Sequence, residues 1–390
     1  MATVELLTER MVAGGDAIAR EPSGRVVFVT GALPGERVRA RLTEEKADFA
    51  RAALVEVVAA ADARRTPPCP YVSAGCGGCG WQHVTEHEQV RLKVAIVREA
   101  LTRTGRLVNP RVVVGPALDP AGFRTTLRLG VDAGGRAGFR ARRSHDLVPI
   151  DDCMVAHPLL AELLDGRRYP GASEVTLRCG ARTGERLAVV APSAAAAHVV
   201  LPADVVTGPK ARYHEEVAGQ RFRVSARSFF QSRADGAEIL VSLVRDAAGD
   251  LLGDGLLVDA YAGVGLFGAT LRPGGDLVAV ESSASACADA RRNLARRPAM
   301  IVHVDVARWR PVPASVVVAD PARAGLGKLA AAVLAATGAP RIVLVSCDPV
   351  ALARDARLLD GHGYGHVESV VVDLFPQSPH VEVVTRFDQR

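Results

Sequence analysis

The chain lacks any run of about 18 uninterrupted apolar residues, so we expect no membrane span and no membrane partner. Its start, from Met1 to Glu5, lacks the charged segment and apolar core of a secretory signal peptide. Internal repeats and low-complexity tails are also missing. The seven cysteines are odd in number and unevenly spread over 390 residues, which excludes a small disulfide scaffold. We therefore expect a protein of the reducing cytoplasm.

Apolar content of 48% and charged content of 23% are typical of globular proteins, and the length suits two or three domains. The net charge is only +5, but its distribution is uneven. Between Arg91 and His145 there are 12 Lys and Arg residues against three acids. A second basic group alternates with rings: Arg221, Phe222, Arg223, Arg227, Phe229, Phe230 and Arg233. Arginines beside aromatic rings suit a nucleic acid with exposed bases, although solvated arginine-rich faces would give the same pattern.

Three segments differ in pattern. Residues 1–60 read as short strands separated by Gly and Pro turns, which predicts a small β-barrel. Residues 61–227 begin with a segment rich in Pro, Gly and Cys, continue with a helix from about His83 to Thr104, and then alternate as antiparallel strands do. In residues 228–390 apolar strands alternate with helices, which predicts a doubly wound α/β domain. The fold class is therefore multi-domain α/β.

Cys347 directly follows the apolar run from Arg341 to Val345, which reads as a buried parallel strand. Open α/β sheets bind ligands at the carboxyl ends of such strands. A thiol in this position is placed as a nucleophile would be. Position alone leaves the alternative of a small buried core residue equally open.

A strand from Leu256 to Ala260 leads into a Gly-x-Gly turn at Gly263 and Gly265, and a helical pattern follows. Such a turn lets a ligand approach the backbone. The next strand ends at Glu281, where a carboxylate suits a ribose diol. The third glycine of the dinucleotide fingerprint is missing, which favours an adenosyl ligand such as S-adenosylmethionine over NAD.

Cys69, Cys76 and Cys79 lie close together in a turn-rich segment and predict a metal or iron–sulfur half-site. Cys153 is the best candidate for the fourth ligand. Four thiolates fit zinc and a [4Fe-4S] cluster equally well, while disulfides or idle thiols are the remaining alternative. Cys179 and Cys287 fall within strand and helix patterns, and we expect both to be packing residues.

Two further carboxylates lie in strand-end positions. Asp320 follows the strand from Val316 to Ala319, and therefore faces the predicted ligand crevice. Glu382 begins an otherwise apolar strand, where a carboxylate needs a partner or a chemical role.

These motifs together resemble the S-adenosylmethionine-dependent uracil-5-methyltransferases of RNA, in the group with a TRAM domain and an iron–sulfur cluster. The resemblance covers essentially the whole chain and rests on six segments in the family's order: Phe28 to Glu36, Cys76 to His83, Ser228 to Gln231, Asp259 to Gly265, Ser346 to Pro349 and His380 to Glu382. Arg233 departs from the family, which usually carries Asn there. The resemblance implies an OB-like TRAM barrel, a central region with the cluster, and a class I methyltransferase domain.

The resemblance also assigns roles. Cys347 would be the nucleophile, Glu382 the general base, and Phe229 a ring flanking the target base. The adenosyl cofactor would be bound by Gln231, Tyr261, Gly263, Gly265, Glu281, Asp305 and Asp320. Cys69, Cys76, Cys79 and Cys153 would hold a [4Fe-4S] cluster, with zinc the less favoured occupant.

The implied substrate is a uridine of 23S ribosomal RNA, because the cluster motif favours the ribosomal enzymes. The T-loop uridine of tRNA is the alternative within the same class. A cluster-bearing RNA-binding protein without activity is the alternative from another class, and the retained Cys347 and Glu382 count against it. The family's usual state is a monomer.

Overall fold

A computed structural model describes residues 3–142, 144–253, 255–272 and 274–390; Arg143, the last arginine of the first basic segment, lies outside them. The first element is a closed five-stranded barrel in the order β1-β2-β3-β5-β4. Its strands are β1 (Thr3–Met11), β2 (Asp16–Arg20), β3 (Val26–Thr30), β4 (Arg37–Glu45) and β5 (Phe49–Ala59). Inward residues alternate with exposed ones, so Val38, Ala40 and Leu42 of β4 are buried in the barrel core.

The central region forms a six-stranded, mostly antiparallel sheet in the order β12-β11-β10-β7-β8-β9, with a separate hairpin of β13 and β14. Three elements precede this sheet in the chain: α1 (Pro70–Ser73), α2 (Glu86–Arg103) and β6 (Val112–Val114). The elements of the region itself are β7 (Thr126–Val131), β8 (Ala137–Arg140), β9 (Leu147–Pro149), α3 (Pro158–Ala161), β10 (Glu174–Cys179), β11 (Arg186–Ala191), β12 (Val205–Thr207), β13 (Arg212–Val217) and β14 (Gln220–Ser225). The predicted antiparallel region is confirmed: β7 pairs antiparallel with β10, with Leu127 opposite Leu177.

The C-terminal part is an eight-stranded sheet in the order β17-β16-β15-β18-β19-β21-β20-β6, and β21 alone runs antiparallel to its neighbours. Its elements are α4 (Ala234–Ala248), β15 (Leu257–Ala260), α5 (Leu266–Thr270), β16 (Leu277–Glu281), α6 (Ala284–Asn293), β17 (Ala299–His303), β18 (Val316–Ala319), α7 (Gly327–Ala335), β19 (Arg341–Ser346), α8 (Pro349–Asp360), β20 (Tyr364–Val372) and β21 (Glu382–Gln389). Short 3-10 helices cover Ser193–His198, Gly249–Leu252 and Val306–Arg308. The predicted doubly wound architecture is confirmed.

Helices cover both faces of this sheet. The core on one face contains Leu240 of α4, Phe267 of α5 and Ala290 of α6, and the core on the other contains Leu101 of α2, Leu334 of α7 and Leu359 of α8. Both faces of the parallel strands are thus buried, which explains their continuous apolar sequences. No helix among the described residues is long and apolar enough to cross a bilayer.

Two elements reach this sheet from early in the chain. Strand β6 pairs parallel with the edge of β20, with Val113 opposite Val370. Helix α2 packs on α8, and its Lys93, which is fully buried, donates to Asp373 Oδ1 at 2.6 Å. The boundaries at residues 60/61 and 227/228 stay a prediction, since the sheet also includes residues 112–114.

Candidate active site

The predicted catalytic and cofactor residues gather at one edge of the sheet because of its topology. Parallel strands β16, β18 and β19 end there, which places Glu281, Asp320 and Cys347 at or just past their carboxyl ends. Strand β21 runs the opposite way and therefore begins at this edge with Glu382. The last β19–β21 pair joins Ser346 to Val383, so Cys347 and Glu382 occupy the next opposing positions. Side chains on such neighbouring positions lie within reach of each other.

Burial and negative neighbours raise the pKa values of both Cys347 and Glu382. Burial raises the pKa of the Cys347 thiol to about 12, with further contributions from the nearby carboxylates of Glu382 and Asp320. Glu382 is only 4% exposed, and this burial, with Asp320 beside it, raises its pKa well above its ordinary value. The positive charge of Arg323 acts in the opposite direction and lowers the thiol's pKa, but burial outweighs it, so ionisation needs a further positive charge or a base.

A second pair of carboxyl groups lies under this edge. Asp320 accepts a hydrogen bond from Gln231 Nε2 at 3.2 Å, and burial raises its pKa to about 7. Asp259 of β15 is fully buried, and Oδ2 accepts from Gly268 N at 2.8 Å. Burial raises the pKa of Asp259 to about 7 as well. Its Oδ1 has no partner among the described residues. Asp259 therefore anchors the first turn of α5 by its other oxygen.

The Gly-x-Gly turn forms a backbone cradle beside these groups. Tyr261, Gly263 and Gly265 have φ angles of 62°, 57° and 92°, a left-handed conformation that strongly favours glycine at the latter two positions. A Cβ on Gly263 would meet no atom within 4 Å, so this glycine faces open space. Glu281 closes the cradle, accepting from Gly263 N at 2.8 Å and from Ser283 N at 2.6 Å. The backbone is thus open to a ligand at the turn.

A cavity of about 590 Å³, here called the Gly263 cavity, joins the cradle to the strand ends. It is lined by eight of the predicted site residues: Phe229, Gln231, Tyr261, Gly263, Glu281, Asp320, Cys347 and Glu382. Gly265 lies in the same turn and follows Val264, which lines the cavity. Asp305 does not line it. It is exposed and accepts from Ala307 N at 2.8 Å as the cap of a 3-10 helix. Burial raises the pKa of Tyr261 to about 12, and the nearby charge of Asp305 adds to that rise.

Only one ring of the second basic group is free to stack on a base. Phe229 is 69% exposed at the mouth of the Gly263 cavity, whereas Phe222 and Phe230 are buried and pack on each other with ring centroids 5.6 Å apart. Arg233 is also buried. It lies 4.5 Å over the Phe123 ring, donates to Asp119 O at 3.1 Å and pairs with Asp235 at 2.7 Å. The alternation of arginines with aromatic rings in the second basic group therefore arises partly from packing in the core.

A second cavity, of about 610 Å³, reaches Cys347 from the other side. This Arg124 cavity is lined by the exposed Arg128 and Arg140, by the half-buried Arg124, and by the rings of Phe123 and Phe139. Three residues line both cavities: Cys347, Arg323 and Phe375. The thiol thus sits where a cradle built for a small ligand meets a basic surface.

The four predicted cluster cysteines occupy one neighbourhood next to the Arg124 cavity, which Cys79 lines. All four are partly buried and free of disulfides. Burial raises the pKa values of Cys76, Cys79 and Cys153, and neighbouring thiols add to the rise, Cys69 at Cys76 and Cys153 at Cys79. Among the described residues, no group of three or more Cys, His, Asp or Glu side chains has a geometry that would hold a metal ion.

The surroundings of these thiols nevertheless suit a thiolate-bound group. The Gln82 side chain accepts from Cys69 N at 3.1 Å, and its amide offsets part of the burial effect that raises the pKa of Cys79 to about 11. Gln82 Nε2 is buried and has no hydrogen-bond acceptor in the described part of the chain. An N–H donor beside a thiol is what a metal-bound sulfur would accept from. Cys179 and Cys287 are fully buried in the core, as expected.

Sequence reasoning assigned no role to three residues that the structure brings to the site. Arg323 and Phe375 line both cavities; Arg323 lies three residues after Asp320, and Phe375 lies five residues before His380. Asp259 belongs to the segment from Asp259 to Gly265 that resembles the family, but it received no role of its own. A carboxylate within an apolar strand is itself a signal of a functional or structural role. Asp348 caps α8, accepting from Val350 N at 3.0 Å, and lies 3.8 Å from Arg323.

Comparisons with known proteins agree with this architecture. The TRAM domain model matches residues 2–55. An uncharacterized RNA methyltransferase of Streptomyces avermitilis is 37% identical over 95% of this chain and 94% of its own length. The 23S rRNA (uracil(1939)-C(5))-methyltransferase RlmD of Chromohalobacter salexigens is 34% identical over 97% of this chain and 87% of its own.

Among solved structures, the Pyrococcus abyssi tRNA (uracil-54, C5)-methyltransferase, in complex with S-adenosyl-L-homocysteine, superposes with a TM-score of 0.77. It covers 98% of this chain and all of its own, at 22% identity, and so shows a shared fold. The identity and coverage of the sequence relatives are high enough to show the family. The chain belongs to the TRAM-containing RNA methyltransferases, the family that includes the 23S rRNA uracil-C5 methyltransferases.

Proposed function

We propose that this protein transfers a methyl group from S-adenosylmethionine to C5 of a uridine in 23S ribosomal RNA. The observation that carries the proposal is the pairing of Cys347 with Glu382 at the junction of two cavities, one with a glycine cradle and one lined by arginines. The relative from Chromohalobacter salexigens, which bears that activity in its name, supports the choice of substrate.

The cofactor would lie in the Gly263 cavity, held by Gln231, Tyr261, Gly263, Gly265, Glu281 and Asp320, with Asp305 at its outer edge. When bound, S-adenosylmethionine supplies an electrophilic methyl group and a positive sulfonium. The open side of Gly263 fits a ligand that approaches the backbone there. The solved P. abyssi structure, whose fold this chain shares, carries S-adenosyl-L-homocysteine.

The reaction needs a nucleophile because C5 of uracil is a weak carbon nucleophile. In the proposed step the Cys347 thiolate forms a bond to C6, which turns C5 into an enolate carbon that takes the methyl group. Glu382 then removes the proton from C5, and the S–C6 bond breaks to restore the C5=C6 double bond. The high proton affinity that burial gives Glu382 suits this second role.

Phe229 would flank the target base, which must leave its stack to reach Cys347. Its ring is exposed at the cavity mouth, as stacking requires. Arg124, Arg128 and Arg140 would contact the phosphates of the RNA from the second cavity. Arg323, which is shared by both cavities, would lie next to the extruded nucleotide.

Cys69, Cys76, Cys79 and Cys153 would hold a [4Fe-4S] cluster, which would fix the loop bearing Cys79 against the Arg124 cavity. The all-thiol donor set and the free Gln82 amide support this assignment. Iron and sulfide analysis of anaerobically purified protein tests it. Four irons per chain are expected, and stoichiometric zinc without iron would overturn it.

Mass spectrometry of ribosomal and transfer RNA from a deletion strain tests the substrate. We expect one 5-methyluridine to disappear from 23S RNA and the tRNA to keep its own. Loss from the tRNA alone would move the function to the T-loop uridine. Unchanged 5-methyluridine in both RNAs would argue against the enzyme's role altogether.

A further inference from the structure

A third cavity, of about 630 Å³, lies on the α6 side of the C-terminal sheet and is lined mainly by arginines. This arginine groove contains Arg221, Arg223, Arg292, Arg296 and Arg297, with His214, Gln220 and Asn293 among its other lining residues. Two acids lie against it. Glu185 pairs with Arg221 at 2.7 Å and with His214 at 3.0 Å, and the buried Asp289 pairs with Arg223 at 3.3 Å. Positive charge therefore remains in excess.

Two of the arginines carry that excess. Arg292, in the last turn of α6, and Arg296, just beyond it, are exposed and make no ion pair within residues 3–142, 144–253, 255–272 and 274–390. Arg297 has a structural task, because it donates to Gly268 O at 2.8 Å and to Arg272 O at 3.1 Å. Arg292 and Arg296 are thus available to bind an anion.

The groove is connected to the active site by β14, which lies antiparallel to α6. Arg223 N donates to Asn293 at the end of α6 at 2.9 Å, and Ser225 Oγ donates to Asp289 one turn earlier at 2.8 Å. Beyond the strand, Ser228 Oγ lies 2.8 Å from Ser285 Oγ in the first turn of α6. The next residue is Phe229, at the mouth of the Gly263 cavity.

Exposed arginines follow this path. On β14, Phe222 and Val224 point into the core, and Arg221 and Arg223 occupy the alternate positions that face the groove. Arg227 then lines the Gly263 cavity beside Phe229. Basic residues thus extend from the stacking ring to the far end of α6. This accounts for the second basic group of the sequence, apart from the buried Arg233.

We propose that Arg221, Arg223, Arg227, Arg292 and Arg296 form an arginine track that binds the backbone phosphates of RNA flanking the target uridine. Helix α6 has ten residues and so spans about 15 Å, the length of about four stacked nucleotides. Among the described residues, the ring that lines the groove is His214, which is already bonded to Glu185, and the amide of Asn293 is already used in bonds to Arg223 and Val264. The track therefore reads phosphate charge and not base identity.

This inference rests on the proposed function for the identity of the RNA, but its test does not require methyl transfer. The full-length protein, with S-adenosylhomocysteine present, is titrated with oligouridylates of about 3 and about 12 nucleotides over a range of salt concentrations. We expect R292A/R296A to weaken binding of the longer RNA about tenfold and to lower the salt slope by about 1.4, the value for two single-strand phosphate contacts. Binding of the short RNA is expected to stay unchanged.

The matched control is R106A/R357A, which removes two exposed arginines without ion pairs in the described structure, one of them on α8 across the sheet. It should bind both RNAs as the wild type does. Equal affinity and equal salt slope of R292A/R296A and wild type on the longer RNA would overturn the track. So would an equal loss in the control pair, since that would reflect net charge alone.

A methylation assay on 23S RNA separates this inference from the proposed function. We expect R292A/R296A to raise KM for RNA and to leave kcat unchanged, because the track is remote from Cys347. If the wild type binds the longer RNA through these arginines but makes no 5-methyluridine, the proposed function fails and the track stands. If the wild type methylates RNA and the variant binds it normally, the track fails alone.

Discussion

The Gly263 cavity and the Arg124 cavity meet at Cys347 but are built differently. In the first, the chemical groups sit on strand ends, and their positions follow from the sheet topology and are fixed by buried hydrogen bonds such as Gln231 to Asp320. In the second, exposed arginines with acid partners, such as Arg128 with Glu174, supply charge on flexible side chains. Replacing a functional side chain of the Gly263 cavity should therefore stop methyl transfer, whereas replacing an arginine of the Arg124 cavity should weaken RNA binding.

The largest expected effect is from Cys347→Ala, which removes the only proposed nucleophile. We expect methyl transfer to fall on the order of 10⁴-fold or more, and the covalent adduct with 5-fluorouridine RNA to disappear from denaturing gels. Cys179→Ala is the matched control, because that thiol is fully buried in the central core. An adduct that survives Cys347→Ala would disprove the nucleophile assignment.

Glu382→Gln should have the next largest effect, and a different signature. Turnover should fall about 10²- to 10⁴-fold because the C5 proton has no acceptor, while the adduct with natural RNA accumulates. Glu368→Gln is the control, since that carboxylate lies on the neighbouring β20 and pairs with Arg111 outside both cavities. Quenched-flow measurement of adduct and product distinguishes the two steps. Loss of adduct formation itself would assign Glu382 to an earlier step.

The pH dependence should also be large and should arise from Cys347 and Glu382. Burial raises the pKa of the Cys347 thiol to about 12 and that of Glu382 well above its ordinary value, and each must lose a proton to act. The thiolate fraction therefore grows with pH until about pH 12, so kcat should still be rising at the upper end of a series from about pH 6 to about pH 9. Alkylation of Cys347 by iodoacetamide should accelerate with pH in the same way, and faster when the cofactor's sulfonium is present. A flat profile would mean that the thiol ionises by another route.

The smallest expected effect belongs to the other cavity. Arg128→Ala should raise the Kd for RNA about threefold and leave kcat unchanged, because an exposed, salt-bridged arginine contributes little beyond one phosphate contact. Arg136→Ala is a close control: it too is an exposed arginine with an acid partner, in the turn between β7 and β8, but it lies outside the cavity. A large fall in kcat for Arg128→Ala would mean that the two cavities are not separate in function.

Much of this contrast could be predicted from the sequence. The ends of the parallel strands can be predicted because each apolar run is followed by a polar residue or a thiol: Cys347, Asp320 or Glu281. The same residues indicate the edge of the sheet at which a ligand binds. The barrel, the antiparallel centre and the doubly wound sheet were predicted from the same periodicities. Glu382 was predicted as well, since an acid at the start of an apolar strand is costly without a role.

Other features had no local signal. Strand β6 is a three-residue apolar segment, and nothing near it indicates that it pairs with Val370 far along the chain. Phe222 was grouped with exposed rings, although its alternation with Arg221 and Arg223 along β14 is what places it in the core. Asp305 follows a strand as Glu281 does, but a 3-10 turn carries it to the surface.

The pairing of β6 with β20 makes the catalytic sheet a discontinuous folding unit. Its edge strand and helix α2 are synthesised before the central sheet, yet they dock only after residues 364–372 have emerged. Contacts between such distant segments slow folding, since the intervening loop must close first. A fragment starting at residue 228 would expose the backbone edge of β20 and the apolar surface of α8 that α2 covers. Such a fragment should aggregate, whereas one starting near Glu86 would keep its edge protected.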